Sequence, residues 1–119
     1  MQRLTPKEEE VMILFWEKGA QFVREIVAKY EDPKPHFNTI STIVRALEEK
    51  GFLSHEAFGA TYRYFPAISK EQYNRGTLDR VIEKYFSKSY LSAVSSLIEQ
   101  EKLSLDDLKK LIDEVEGRR

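Results

Sequence analysis

The 119-residue chain has no cysteine and only two histidines, His36 and His55. The first absence removes disulfides, thiolate metal sites and cysteine nucleophiles together. The second leaves no imidazole cluster, and two isolated histidines read as surface or core side chains rather than ligands. Neither a metal nor a cofactor is expected. Long apolar runs are also lacking: the longest, Val11 to Trp16, has six residues, against the ~20 that cross a bilayer. No membrane insertion is expected. The amino terminus passes through Leu4-Thr5-Pro6 straight into a charged helix start, without the apolar stretch and cleavage site of a signal peptide. The expected location is cytoplasmic.

Neither sign of charge is in excess. Nineteen basic side chains face twenty acidic ones, for a net charge of -1, and the two halves are alike: residues 1–65 hold 9 basic and 10 acidic groups, residues 66–119 hold 10 of each. Phosphate affinity comes from Lys and Arg, so any nucleic-acid surface must be local. The parts of an enzyme are missing as well. Glu8-Glu9-Glu10 and Asp106-Asp107 stand at helix amino termini, where the helix dipole favours carboxylates. No nucleophile and base accompany them, so no catalytic activity is expected. The sequence also shows no evident ligand pocket.

What remains is 41% hydrophobic and 12% aromatic, enough for a buried core in one compact domain or two small ones. Thr5-Pro6-Lys7-Glu8 is a capping box with proline at the first helical position, and it predicts a helix to about Lys18, closed by Gly19. Val11, Leu14 and Phe15 line its buried face, beside Met12 and Trp16. A second helix of about ten residues follows from Val23, Ile26, Val27 and Tyr30, spaced i, i+3, i+4 and i+7. Pro33 and Pro35 end it. Asn38 is a plausible cap for a third helix, with Ile40, Ile43, Val44 and Leu47 as its stripe and Gly51 as its stop. Period-two alternation over 52–58 and 61–66, around Gly59-Ala60, predicts a β-hairpin.

Three helices and then a hairpin is the order of a winged helix-turn-helix, whose third helix enters the major groove. The face of that helix opposite its stripe carries Asn38, Thr39, Ser41, Thr42 and Arg45. Short hydrogen-bonding side chains there are able to approach base edges, and these five are the candidate DNA contacts. Arg63, between Tyr62 and Tyr64 in the wing, is a candidate phosphate contact. Such a face is also commonly just solvated.

A capping box at Ser69-Lys70-Glu71-Gln72 predicts a fourth helix to about Ser87 through Leu78, Val81, Ile82, Tyr85 and Phe86, weakened by Gly76. Leu91, Val94, Leu97 and Ile98 indicate a fifth helix. Ser104 caps a sixth with Asp107 at its third position, a Leu103 to Leu108 staple, and a stripe of Leu108, Leu111, Ile112 and Val115. The expected fold is mainly α: a winged helix-turn-helix DNA-binding domain over 1–68, then a small all-α dimerisation domain over 69–119. About fifty residues of helix are too few for a self-sufficient core. A second copy is the simplest partner, giving a homodimer held by Leu91, Leu97, Leu108, Leu111 and Val115 on a palindromic operator.

The chain resembles the penicillinase repressor family, the BlaI/MecI/CopY type of bacterial transcriptional repressors, over nearly its whole length. The resemblance is carried by Leu4-Thr5 with Glu9 and Trp16, Val23-Arg24-Glu25-Ile26, and the run from Asn38 to Arg45. Leu47-Glu48-Glu49-Lys50-Gly51-Phe52-Leu53 and Tyr62-Arg63-Tyr64-Phe65-Pro66 complete it. It implies a sequence-specific repressor binding a double-stranded DNA operator as a homodimer, with the third helix on bases, the wing on backbone and the last helices at the dimer interface. In many relatives the position of Ser41 is Arg and that of Ala46 is basic, so this reading helix carries less positive charge. The cysteine motif of copper-responsive relatives is missing. Beta-lactam-responsive relatives are inactivated by a membrane metalloprotease that cuts an Asn-Phe bond; Ser96-Leu97 stands at about that place. It is the candidate proteolytic switch. The alternative is a winged-helix protein-interaction module without sequence-specific DNA binding, which a net charge of -1 suits.

Overall fold

The computed structural model describes residues 2–87 and 89–117. Its elements are α1 (Pro6–Lys18), β1 (Gln21–Phe22), α2 (Val23–Ala28), α3 (Phe37–Glu49), β2 (Leu53–Phe58), β3 (Thr61–Pro66), α4 (Lys70–Tyr85), α5 (Tyr90–Glu99) and α6 (Leu105–Gly117). The fold is mainly helical with one small antiparallel sheet, in the order β1-β3-β2. Two compact units divide it, Met1–Gly76 and Thr77–Arg119.

Local chemistry accounts for the ends of the helices. The Thr5 hydroxyl accepts from the Glu8 amide at 3.2 Å and the Glu8 carboxylate accepts from the Thr5 amide at 2.8 Å, starting α1 where the sequence predicts. Gly51 ends α3 at φ 85°, a left-handed conformation that costs glycine least. Its amide donates to the Glu48 carbonyl and the Phe52 amide to the Leu47 carbonyl, the two bonds of a Schellman cap. The boxes at Ser69/Gln72 and Ser104/Asp107 also form.

Two expectations change. The α3 cap is His36, not Asn38: the imidazole Nδ1 accepts from the Asn38 amide at 3.0 Å, so the helix begins two residues earlier, at Phe37. The second helix has six residues rather than about ten, because Gln21 and Phe22 are spent on pairing with Tyr64 and Arg63 of β3. Lys34 bonds the carbonyls of Ala28 and Tyr30 beyond its end. The division at Gly76 falls within α4, after the expected 68/69 boundary. Tyr73, on that helix, belongs to the amino-terminal core: it lies 5.4 Å from the Trp16 ring and 5.7 Å from Phe52, and its hydroxyl donates to Glu9 at 2.6 Å.

The amino-terminal core joins Val11, Met12 and Phe15 of α1 to Ile26 of α2, Ile40, Val44 and Leu47 of α3, and Phe52, Leu53 and Tyr64 beneath the sheet. Two polar groups are buried with it. Gln21 donates to the Leu14 carbonyl at 3.0 Å and accepts from Lys29. Glu8 pairs with Lys50 at 2.6 Å, joining the start of α1 to the end of α3. In the carboxy-terminal unit, by contrast, α5 and α6 have no buried residue. No described helix is long and apolar enough to cross a membrane.

Candidate nucleic-acid interface

One face of α3 is anchored and the other is free. Ile40, Val44 and Leu47 are buried, which fixes the rotation of the helix and turns Asn38, Thr42 and Arg45 outward, all exposed. Thr39 is exposed to one side of this column; Ser41 is half-buried on the other, beside the wing. The Thr42 hydroxyl donates to the Asn38 carbonyl at 2.9 Å, keeping its lone pairs for an incoming donor. Among the described residues Arg45 spends only its Nε hydrogen, on the Ser41 carbonyl at 3.4 Å, and its two terminal nitrogens make no hydrogen bond. That fork matches the acceptor pair of a guanine edge or a phosphate.

The charges around this face are sorted locally. Glu48 meets His55 of β2 at 2.5 Å and Glu56 meets Arg63 at 3.0 Å, so two nearby carboxylates are engaged. Among the described residues Arg45 and Arg24 make no carboxylate ion pair, which leaves two exposed cations near this face, one on α3 and one on α2. Exposed Glu49 lies one turn beyond Arg45 and partly offsets its field. Beneath the hairpin, burial and then the Glu48 charge push the Tyr64 phenol above its ordinary value, so it stays neutral.

Arg63 differs from the other candidates. It sits in the central strand between Phe22 and Glu56, with its guanidinium 4.6 Å over the Phe58 ring. Strand alternation turns it away from the face that Tyr62 and Tyr64 occupy. Its Nε is buried with no hydrogen-bond partner among the described residues. A phosphate would therefore compete with Glu56 for this side chain.

Sequence reasoning missed three residues here. Arg24 lies over the Phe22 ring at 4.6 Å, while Phe37 and Tyr62 keep 49% and 50% of their surface in water beside α3. Moving the α3 cap to His36 is what would have found Phe37, since it then stands one turn before Ser41. Among the described residues no three His, Asp or Glu side chains are grouped to hold a metal. The dimerisation candidates belong to the other unit. Leu91 is 84% exposed, Leu97, Leu111 and Val115 are exposed, and Leu108 is half-buried. The Ser96–Leu97 bond lies inside α5, where the Ser96 hydroxyl accepts from Gln100 at 3.0 Å.

The chain is similar to several known proteins. The methicillin resistance regulatory protein MecI of Staphylococcus aureus strain N315 is 26% identical over 111 residues, covering 91% of this chain and 89% of its own. An uncharacterised 16.5 kDa protein of Latilactobacillus sakei is 26% identical over 110 residues, covering 91% of this chain and 75% of its own. A solved structure of reduced AbfR bound to DNA is 20% identical with a TM-score of 0.49, over 92% of this chain and 74% of that one. The penicillinase repressor family model matches residues 4–117, from the first residue before the α1 cap to the end of α6, and the chain belongs to the penicillinase repressor family.

Proposed function

We propose that the chain is a DNA-binding transcriptional repressor without catalytic activity, acting in the cytoplasm as a homodimer on a palindromic operator. The observation that carries this reading is the outward column of α3: Asn38, Thr42 and Arg45 are exposed and Arg45 has no carboxylate partner among the described residues, while the opposite face is locked into the core. Family membership supports the repressor role. Thr39 and Ser41 flank the column as further base or backbone contacts, and Arg63 reaches phosphate only by leaving Glu56. Exposed Leu91, Leu97, Leu111 and Val115 support dimerisation, since isolated soluble chains rarely leave so many apolar groups in water. We place the reading head in residues 1–68 and the dimer contacts in 69–119.

Selection of bound fragments from the source genome tests the reading: it should enrich one palindrome, and enrichment of none would refute it. The net charge of -1 favours a second reading, a winged-helix protein-interaction module. Salt separates the two. Contact with about six phosphates should weaken binding up to ~10³-fold between 50 and 200 mM salt, and protein docking should not respond so steeply.

Repression would end by cutting at Ser96–Leu97, for which a membrane metalloprotease sensor is the proposed agent. The cut separates α6 from the reading head and dissolves the dimer, removing the ~10² to 10⁴ that linked heads gain over single ones. Because the bond is helical, α5 must first unwind there. An intact chain by mass spectrometry, while the regulated genes switch on, would contradict this switch.

A further inference from the structure

The sequence shows no ligand pocket, but folding makes a cleft of about 360 Å³ where the start of α2, the first turn of α3 and the tip of the wing meet. Phe22, Phe37, Tyr62 and Tyr64 give it aromatic walls, and Arg24, Ser41 and Thr61 add polar groups, of which Arg24 alone is charged. The space suits a small molecule, and mostly aromatic walls with few polar groups are typical of ligand sites. Arg24 stands over the Phe22 ring and no described carboxylate pairs with it. A guanidinium held by its face on a ring keeps its N–H edge for a two-pronged bond to a carboxylate. Phe37 and Tyr62, half in water, are the rings that such a ligand would cover.

We propose that this cleft binds a small aromatic carboxylate, its carboxylate on Arg24 and its ring between Phe37 and Tyr62. The charge decides the class. A neutral aromatic would leave Arg24 unanswered, and a bare phosphate would find one cation and no use for the walls. A bound ligand lies against Ser41 on the wing side of α3 and occupies space between reading helix and wing, so it lowers operator affinity. This consequence rests on the reading of α3 as the DNA-contacting helix; the binding itself does not.

The test uses the full-length protein, amide NMR and 2-naphthoate as the probe, with 2-naphthamide and inorganic phosphate as controls. Shifts should centre on Val23, Arg24, Phe37, Ser41 and Tyr62, with a Kd near about 1 mM or below, as a ligand of this size allows. The amide should bind about tenfold more weakly, and so should naphthoate to Arg24→Gln, while Arg24→Lys keeps part of the affinity. Shifts confined to α5 and α6, or equal affinity for the amide, would overturn the proposal. So would phosphate binding as tightly as naphthoate, because Arg24 would then serve the DNA backbone. Operator affinity measured with and without naphthoate separates the two claims: binding of naphthoate by a protein that recognises no operator upholds the cleft and removes the DNA reading.

Discussion

In residues 1–76 the apolar faces of α1, α2 and α3 close on one another, and Val11, Met12, Phe15, Ile26, Val44 and Leu47 lose all contact with water. In the carboxy-terminal unit α5 and α6 have stripes as regular, yet bury no residue, and Leu91 keeps 84% of its surface. The two regions differ in what lies opposite each stripe. Three helices and a sheet supply one another's partners in the first, so that unit holds α3 rigid by itself. In the second, α5 and α6 have formed apolar stripes with nothing among the described residues that buries them fully. The buried core thus belongs to one region together with the proposed reading helix, and association is proposed for the other.

Changes that strike the two regions differently test this division, beginning with the largest. Leu111→Asp should split the proposed dimer and leave the amino-terminal unit folded. An unpaired carboxylate at a two-fold interface is desolvated twice, at several kcal/mol in all. Sedimentation equilibrium reads the result, and a variant that stays dimeric would place Leu111 against its own subunit. Phe15→Ala should do the reverse, removing about 3 to 5 kcal/mol from unfolding of the first unit. Its denaturation midpoint should fall without a change in the affinity of the carboxy-terminal helices for each other.

Glu8 gives the amino-terminal region a pH dependence of its own. Burial alone would raise its carboxyl, but the hydrogen bond and charge of Lys50, with the Thr5 amide and hydroxyl, hold it below the usual glutamate value. A lowered pKa means stability fully present above the unfolded value and lost as pH falls through the folded one. Melting temperature should therefore drop more steeply from about pH 5 to about pH 3 in the native protein than in Glu8→Gln. Equal slopes would mean that the pair contributes nothing. The smallest effect belongs to Gly51→Ala: a side chain at φ 85° costs about 1 to 2 kcal/mol, with no clash to add, since an added Cβ meets nothing within 4 Å. Chemical denaturation measures it.

What the sequence made legible was whatever depends on near neighbours. Thr5, Pro6 and Glu8 start α1 within three residues, and alternation around Gly59-Ala60 yields the hairpin. The α3 stripe shows which of its faces is outward. The strand β1 was hidden because two residues carry no period and their partners stand some forty residues away. His36 was hidden because an imidazole seldom serves as a cap. The engagement of Arg63 was within reach: once Phe58 opposes Thr61, the register sets Glu56 opposite Arg63. The cleft was not, since its walls come from three elements that only the fold brings together.

Arg45 is the point at which the rigid region meets its proposed target, and its removal is the most direct test. Arg45→Ala should leave folding and association unchanged, because the side chain is exposed and bonds only a carbonyl of its own helix. Fluorescence anisotropy on the selected palindrome should show a loss of about 1 to 3 kcal/mol per subunit, twice that for a dimer, or roughly thirtyfold at the least. Unchanged operator affinity would contradict the assignment of α3 as the reading helix.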